Sequence, residues 1–253
     1  TELDVQLDNL ELLRAGRRVF HDRQVRCEAT SAGAFGTDQE VRIPAFRLRA
    51  TGLQAEGAGR LTGGGAAVLA LSGRLTPDLA LLSDPLTAAL GQQVRLSGKQ
   101  PADFRLNWPL QRPLRLDRMA LNTTLRAETL QFRSIGLRRI DLPVEIDKGS
   151  LRAGIAGDLY AGRMSLQPNW QFAANPQQIS IPPTARALDG VDVQSPLASG
   201  LLVQVHPLFG ALTRAEGSVD LRLDAFHWSL PKGVAGRPTF RATLGLNELR
   251  VQP

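Results

Sequence analysis

The side chains that most often carry out chemistry in proteins are few and scattered in this sequence. It has three histidines, His21, His206 and His227, and a single cysteine, Cys27. No two histidines have the spacing of a metal-binding pair, and one cysteine cannot build a disulfide framework or a multi-cysteine metal site. Structural or surface roles are the favoured interpretation of the histidines, and Cys27 is interpreted as a small buried hydrophobic residue.

The carboxylates and glycines show no catalytic arrangement either. Asp220 and Asp224 lie four residues apart with Arg222 between them, which in a strand places all three on one solvated face. The glycines at 63–65 lack the following Lys and Ser or Thr of a phosphate-binding loop, so they predict a turn. We therefore expect no enzymatic activity, no cofactor and no metal site; a hydrolase would need a polar cluster that the sequence does not reveal.

Composition narrows the class of protein further. The 253 residues are 43% hydrophobic and 5% aromatic, which is enough for a core but leaves little aromatic surface for stacking on bases or sugars. All but three of the 30 basic residues are arginines, and they are spread along the chain, whereas a nucleic-acid binder concentrates its charge on one face. We expect no nucleic-acid partner, although arginines on solvated faces could favour anionic lipid headgroups.

No segment predicts a targeting signal or a membrane-spanning helix. The longest apolar run, Ala66–Leu71, is far shorter than the roughly 20 residues that a spanning helix needs. The chain begins Thr1-Glu2-Leu3 and ends in strand-like alternation. We therefore expect a piece of a longer protein, with any membrane anchor outside it.

Alternation of apolar and polar residues with a period of two dominates the sequence. It is clearest in segments 104–110, 219–225 and 240–246. Because successive side chains of a strand point to opposite faces, each segment predicts a strand with one apolar and one polar face. Turn signals such as Asp147-Lys148-Gly149 separate the strands closely, which favours antiparallel meanders.

Two segments interrupt the alternation. Thr76-Pro77-Asp78 supplies a helix N-cap and a proline at the first helical position, and Ser195-Pro196 opens the second segment. Leucines follow at helical spacing in both, but internal prolines exclude one continuous helix. We predict short or kinked helices near 77–90 and 196–213.

The two helical segments belong to an internal repeat of about 120 residues. In each unit a proline-leucine pair is followed by a glycine, an alternating strand and a tryptophan. This order predicts two units of one continuous sheet, residues 1–110 and 111–253, each with a helical cap. The matched residues are Pro85 and Pro207, Gly98 and Gly217, and Trp108 and Trp228.

The most distinctive stretch is Ile155–Leu166, in which two glycines, Gly157 and Gly162, flank the lone Tyr160 between alternating strands. The strand–Gly-x-Leu-Tyr-x-Gly–strand pattern, with the passage into the strand at Gly217–Leu223, resembles the AsmA-like superfamily of bacterial envelope proteins, which includes AsmA, TamB, YhdP and YdbH. The resemblance implies a long curved sheet whose aliphatic floor carries phospholipids across the periplasm, between an inner-membrane anchor and the outer membrane. It implies no catalytic residues.

These observations predict a mostly-β fold: an elongated, twisted antiparallel sheet curled into an apolar groove with short helical caps. The expected function is non-enzymatic lipid binding and conduction, with a phospholipid or another acyl-chain lipid as partner. The alternative is a closed β-sandwich that acts as a structural or assembly module of the envelope, because two apolar sheet faces can also cover each other. The candidate lipid-facing residues are Phe104, Leu106, Leu110, Val219, Leu221, Leu223, Phe240, Leu244 and Leu246.

Overall fold

A computed structural model describes residues 2–14, 17–32, 40–63, 67–84, 87, 93–111, 115–132, 135–196, 198, 214–230 and 236–252. Strands make up 76% of the chain and helices 6%, and within these described ranges no helix reaches seven residues, which confirms the predicted mostly-β fold. The strands form a single antiparallel sheet. Among the described residues there is no second sheet to cover its apolar face, so the sandwich arrangement is not observed.

The sheet contains seventeen strands, and two short 3-10 helices, Leu79–Leu82 and Leu116–Arg118, lie between them. The strands are β1 (Glu2–Arg14), β2 (Arg17–Ala32), β3 (Glu40–Ala50), β4 (Leu53–Thr62), β5 (Val68–Pro77), β6 (Val94–Ser97), β7 (Ala102–Pro109), β8 (Ala120–Phe132), β9 (Ile135–Asp147), β10 (Ser150–Ala153), β11 (Ile155–Leu159), β12 (Gly162–Leu166), β13 (Asn169–Gln171), β14 (Gln177–Ile181), β15 (Thr184–Asp192), β16 (Arg214–Leu230) and β17 (Thr239–Gln252).

The strands follow one another across the sheet as a meander. At some positions in the sheet, two short strands lie end to end beside one long strand. For example, β8 pairs with β7 through 120–123 and with β6 through 129–132. In the same way β9 pairs with β10 and β11, and β16 pairs with β14 and β15. Within the described ranges no pairing joins β1 to β17, so these two strands are the edges of the sheet.

The turn predicted at Asp147-Lys148-Gly149 joins β9 to β10. Lys148 has φ 46° and Gly149 has φ 74°, and two consecutive positive φ values are what a tight two-residue hairpin turn requires. A Cβ atom at Gly149 would lie 2.2 Å from the Cβ of Ala173, so the turn also needs a residue without a side chain. Turns of this kind allow adjacent antiparallel pairing throughout the meander.

The molecule exposes much more surface than a compact protein of its mass. Its accessible surface is 16548 Å² for 27.4 kDa. A compact monomer of that mass exposes about 11,000 Å². The excess is expected for an extended single layer, in which one sheet face has no second sheet packed against it.

The first predicted helical cap starts later than expected, and helical residues continue past Leu82 at Ser83, Asp84 and Thr87. Pro77 belongs to β5, where it pairs with Leu53, and the N-cap is Asp78, whose side chain accepts a hydrogen bond from the N–H of Ala80 at 3.2 Å. In the second segment, Ser195 Oγ accepts from the N–H of Ala198, as an N-cap residue does. Most of the predicted helix at 196–213, together with Pro85, Leu86 and 88–90 of the first, lies outside the described residues.

Candidate apolar binding surface

A row of apolar residues crosses most of the sheet on one face. Residues directly opposite each other in paired strands share a face, and ten such residues follow one another from β3 to β16. Nine strand spacings of about 4.8 Å give this row a length of about 43 Å along the sheet. We call it the apolar row, and it consists of Ile43, Gly59, Leu71, Leu106, Leu121, Ile146, Leu151, Trp170, Ile179 and Trp228.

Every residue of the apolar row is half-buried. Its side chains pack on their neighbours within the sheet but remain in part accessible to solvent. A sealed core would bury most of these large aliphatic and aromatic groups. The row is therefore a continuous apolar strip that a hydrophobic molecule can contact.

A second apolar region on the sheet is fully closed. We call it the sealed cluster. Three of its members, Leu79, Val193 and Ala198, come from connections between strands and close over the face that β8, β9, β11, β15 and β16 provide. The members are Leu79, Ala127, Leu137, Ile140, Leu159, Leu188, Val191, Val193, Ala198 and Val219, none of them more than 4% exposed.

The two connections over the sealed cluster are held by equivalent contacts. The N–H of Leu79 donates to the carbonyl oxygen of Gly98 at 3.0 Å, and the N–H of Val193 donates to that of Gly217 at 3.1 Å. The two glycines have φ values of 134° and 135°, a conformation that residues with a side chain rarely adopt. The glycines that the sequence repeat matched therefore play the same part in the structure.

The matched tryptophans also make equivalent contacts. Trp108 Nε1 donates to the carbonyl oxygen of Arg115 at 3.3 Å, and Trp228 Nε1 donates to that of Gly236 at 2.9 Å. Each indole thus ties the strand that carries it to the connection that follows. Together with the glycine contacts, this shows the same local arrangement at two places in the sheet.

Between β3 and β7, two facing glycines let two phenylalanine rings meet over the sheet. Phe46, Gly57, Gly73 and Phe104 lie directly opposite one another in four successive strands. Three strand spacings are about 14 Å, but the two phenylalanine rings are 6.3 Å apart in an edge-to-face contact. A Cβ atom at Gly73 would lie 2.0 Å from the carbonyl oxygen of Glu56, so only glycine permits this approach.

The nine candidate residues do not form one site. Phe104 is 8% exposed and contacts Phe46, and Leu106 belongs to the apolar row, whereas Leu110 follows β7 and donates its N–H to the carbonyl oxygen of Ala67 at 2.7 Å. Val219 and Leu223 are buried, and Leu221 and Leu244 pack beside the sealed cluster. Phe240 and Leu246, 67% and 39% exposed, lie on the edge strand β17.

Sequence reasoning missed most of the apolar row. Of Ile146, Leu151, Trp170, Ile179 and Trp228, only the two tryptophans belonged to a sequence pattern. The cross-strand register that aligns all five depends on turns and bulges between distant segments. The available signals were Trp228, which the repeat matched to Trp108, and Trp170, which follows the Tyr160 stretch.

The opposite face of the sheet is polar and its charges pair with one another. Arg47 and Glu56 are 4.0 Å apart, Arg74 and Asp103 are 3.8 Å apart, and each pair joins neighbouring strands. A cavity of about 920 Å³ near these pairs is lined both by charged side chains and by apolar residues, among them Leu3, Ala29 and Phe46. Arg26 donates to Asp4 at 2.7 Å and lowers the pKa of that carboxyl.

The carboxylates considered for catalysis form hydrogen bonds within the sheet. Asp220 accepts from the N–H of Gly190 and from Asn247 Nδ2, both at 2.7 Å, and these hydrogen bonds lower its pKa. Asp224 accepts from Arg222 Nε at 2.9 Å. Burial raises the pKa of the Cys27 thiol, which disfavours the nucleophilic thiolate. No group of three or more potential metal ligands occurs in the described part of the chain, from which His206 and the His21 side chain are absent.

Comparison of the chain with models of protein families, with curated proteins and with solved structures found no match. The resemblance to the AsmA-like superfamily therefore stays a prediction, and the function has to be argued from the fold and the apolar row. In the part of the chain that the structure describes, no helix combines the length and hydropathy needed to cross a membrane.

Proposed function

We propose that this chain is a non-enzymatic, lipid-binding and lipid-conducting segment of a bridge between the inner and outer membranes of a bacterial envelope. It would lie in the periplasm, with its membrane anchor and its protein partners contributed by other segments or chains. The observation that carries the proposal is the apolar row, because it offers a long apolar strip without a second sheet over it.

The energetics of the apolar row suit an acyl chain. Burying each methylene of a lipid tail against an apolar surface contributes about 0.8 kcal/mol. The row provides aliphatic or aromatic side chains at most strand spacings, so a tail meets similar contacts all along the sheet. Because the contacts are similar along the row, no single position binds the tail much more tightly than the next. A lipid can therefore advance along the row without having to escape from a deep energy minimum.

The polar face supports the same proposal. Its paired charges, such as Arg126 with Asp141 at 3.7 Å and Arg152 with Glu145 at 3.5 Å, keep that side of the sheet in water. These surface ion pairs contribute little to stability. Their value is that they confine apolar contacts to one face, which a carrier of lipid between two membranes requires.

Uptake of a fluorescent acyl probe, with native mass spectrometry of the purified chain, tests the proposal. Leu106 and Asn107 are neighbours on opposite faces of β7, the first half-buried and the second exposed. We expect Leu106→Asp to reduce probe binding more than about tenfold, because the charge would have to be desolvated under the tail. Asn107→Asp adds the same charge to the polar face and is the matched control.

The outcomes separate binding from folding. If Leu106→Asp loses probe while its thermal unfolding transition stays cooperative, the apolar row binds the tail. If the wild-type chain carries no co-purified lipid and takes up no probe, the proposal fails. If both variants bind probe as the wild type does, the binding surface lies elsewhere and the apolar row is not a lipid path.

A further inference from the structure

The strand β17 is an edge of the described sheet and carries exposed apolar side chains. Phe240 is 67% exposed and Leu246 is 39% exposed, and both belong to this strand. Within the described ranges β17 pairs only with β16, through 12 residues on one side. Its other side presents backbone N–H and C=O groups that can form a further ladder of hydrogen bonds.

We propose that β17 pairs antiparallel with β17 of a second copy of this chain, around a two-fold axis that passes by Thr243. Two-fold pairing of one edge with itself closes the assembly at a dimer. The axis stands normal to the sheet, so the apolar faces of both copies lie on the same side. The inference goes beyond lipid binding and does not depend on it.

The apolar residues of β17 are self-complementary in this register. Thr243 faces Thr243 of the second copy, and Phe240 then lies opposite Leu246 in both halves of the interface. Ala242 lies opposite Leu244 on the same face. The two most exposed apolar side chains of β17 therefore cover each other, which a shift of the register by one residue would prevent.

Charge supports the same register. Arg241 falls opposite Gly245 of the second copy, and Gly245 is itself paired with Asp220 of β16. A Cβ atom at Gly245 would have no neighbour closer than 3.7 Å, so the space above this glycine is open. The guanidinium of Arg241 from one copy can extend over Gly245 of the other copy towards the Asp220 carboxylate. Within its own chain, that carboxylate accepts hydrogen bonds from Gly190 and Asn247.

The strand at the other edge of the sheet, β1, is unsuited to pairing with a second copy of itself. Its apolar face carries Leu3 and Leu7, 54% and 47% exposed, but Glu2, Asp4 and Asp8 alternate with them on the polar face. Antiparallel self-pairing of β1 that sets Leu3 opposite Leu7 places Glu2 opposite Asp8 in both halves of the interface. Like charges directly opposite destabilise a sheet, so the closed dimer forms through β17.

Analytical ultracentrifugation over a range of concentrations measures the association. We expect a monomer–dimer equilibrium in the wild type and at least a tenfold weaker one in Phe240→Asp. Leu3→Asp adds the same charge to an apolar position of the other edge and should leave the equilibrium unchanged. A wild type that stays monomeric at all concentrations overturns the proposal, as does growth beyond dimers, since heterologous pairing of β1 with β17 does not close.

Oxidative cross-linking tests the register. In a Cys27→Ala background, Thr243→Cys should give a covalent dimer on oxidation, because the two residues face each other at the axis. Asn247→Cys is the control, since in this register it faces Thr239 and not itself. A dimer that cross-links equally well through both positions contradicts the register, and one that cross-links through neither shows that the copies associate elsewhere.

Discussion

The apolar row and the sealed cluster are made of the same kinds of side chain on the same face of one sheet, yet one is half-exposed and the other is closed. In β8 the two are only a few residues apart, since Leu121 is half-buried and Ala127 is 3% exposed. The difference comes from the connections, because Leu79, Val193 and Ala198 close over one end of the strands. Alternation in a sequence therefore decides which face is apolar, and the connections decide whether that face is available.

The largest expected effect comes from placing a charge in the sealed cluster. Val219 is 0% exposed, and Val219→Asp would bury a carboxylate without a partner. We expect a loss of more than about 4 kcal/mol of unfolding free energy, measured by urea denaturation. Leu106→Asp, in the apolar row, should cost about 2 kcal/mol or less, because its carboxylate can reach water.

Equal costs in these two variants would remove the distinction between the regions. A cooperative, stable Val219→Asp chain that loses probe binding would show that Val219 faces a bound lipid, as the sequence predicted. Asn107→Asp, on the polar face of β7, is the control and should unfold at the same urea concentration as the wild type.

A smaller effect is expected where Gly57 and Gly73 face each other between β3 and β7. An added Cβ atom at Gly73 would lie 2.0 Å from the Glu56 carbonyl oxygen and 2.6 Å from the Gly57 Cα, both backbone atoms that cannot move aside independently. We expect Gly73→Ala to cost about 3 kcal/mol, because β4 and β5 would have to move apart. Gly136→Ala meets nothing within 4 Å and is the matched control. Similar stability of the two alanine variants would show that the close approach of these strands does not need glycine.

The smallest expected effect is a dependence of stability on pH through Asp220, which follows Val219 on β16. Hydrogen bonds from Gly190 and Asn247 lower the pKa of Asp220, so its carboxylate stabilises the fold above its unfolded pKa of about 3.9. This contribution is lost as the pH falls through the lower folded value. Because the group is partly solvated, we expect less than about 1 kcal/mol.

Asp220→Asn tests this by thermal unfolding between pH 3 and pH 7. The wild type should be more stable than the variant near pH 7, and the gap should narrow towards pH 3. A gap of constant size would show that the charge of Asp220 does not strengthen the hydrogen bond that its carboxylate accepts from the N–H of Gly190.

The class of fold could be predicted from the sequence because each strand carries its own alternation, and the hairpin at Lys148-Gly149 carries its own turn signal. The matched contacts of Gly98 and Gly217 were also visible as a repeat. The exposure of Phe240 and the burial of Val219 could not be predicted, since their patterns are alike. They differ only because β17 is an edge and the Val193 connection closes over β16.

Photocross-linking with a phospholipid that carries a diazirine in its tail tests most directly whether the apolar row stays open to an acyl chain. We predict adducts along the row, for example at Leu106, Leu121 and Ile146, and none at Ala127 or Leu137 in the sealed cluster. Adducts confined to the polar face, or no adducts on a folded chain, would contradict this prediction.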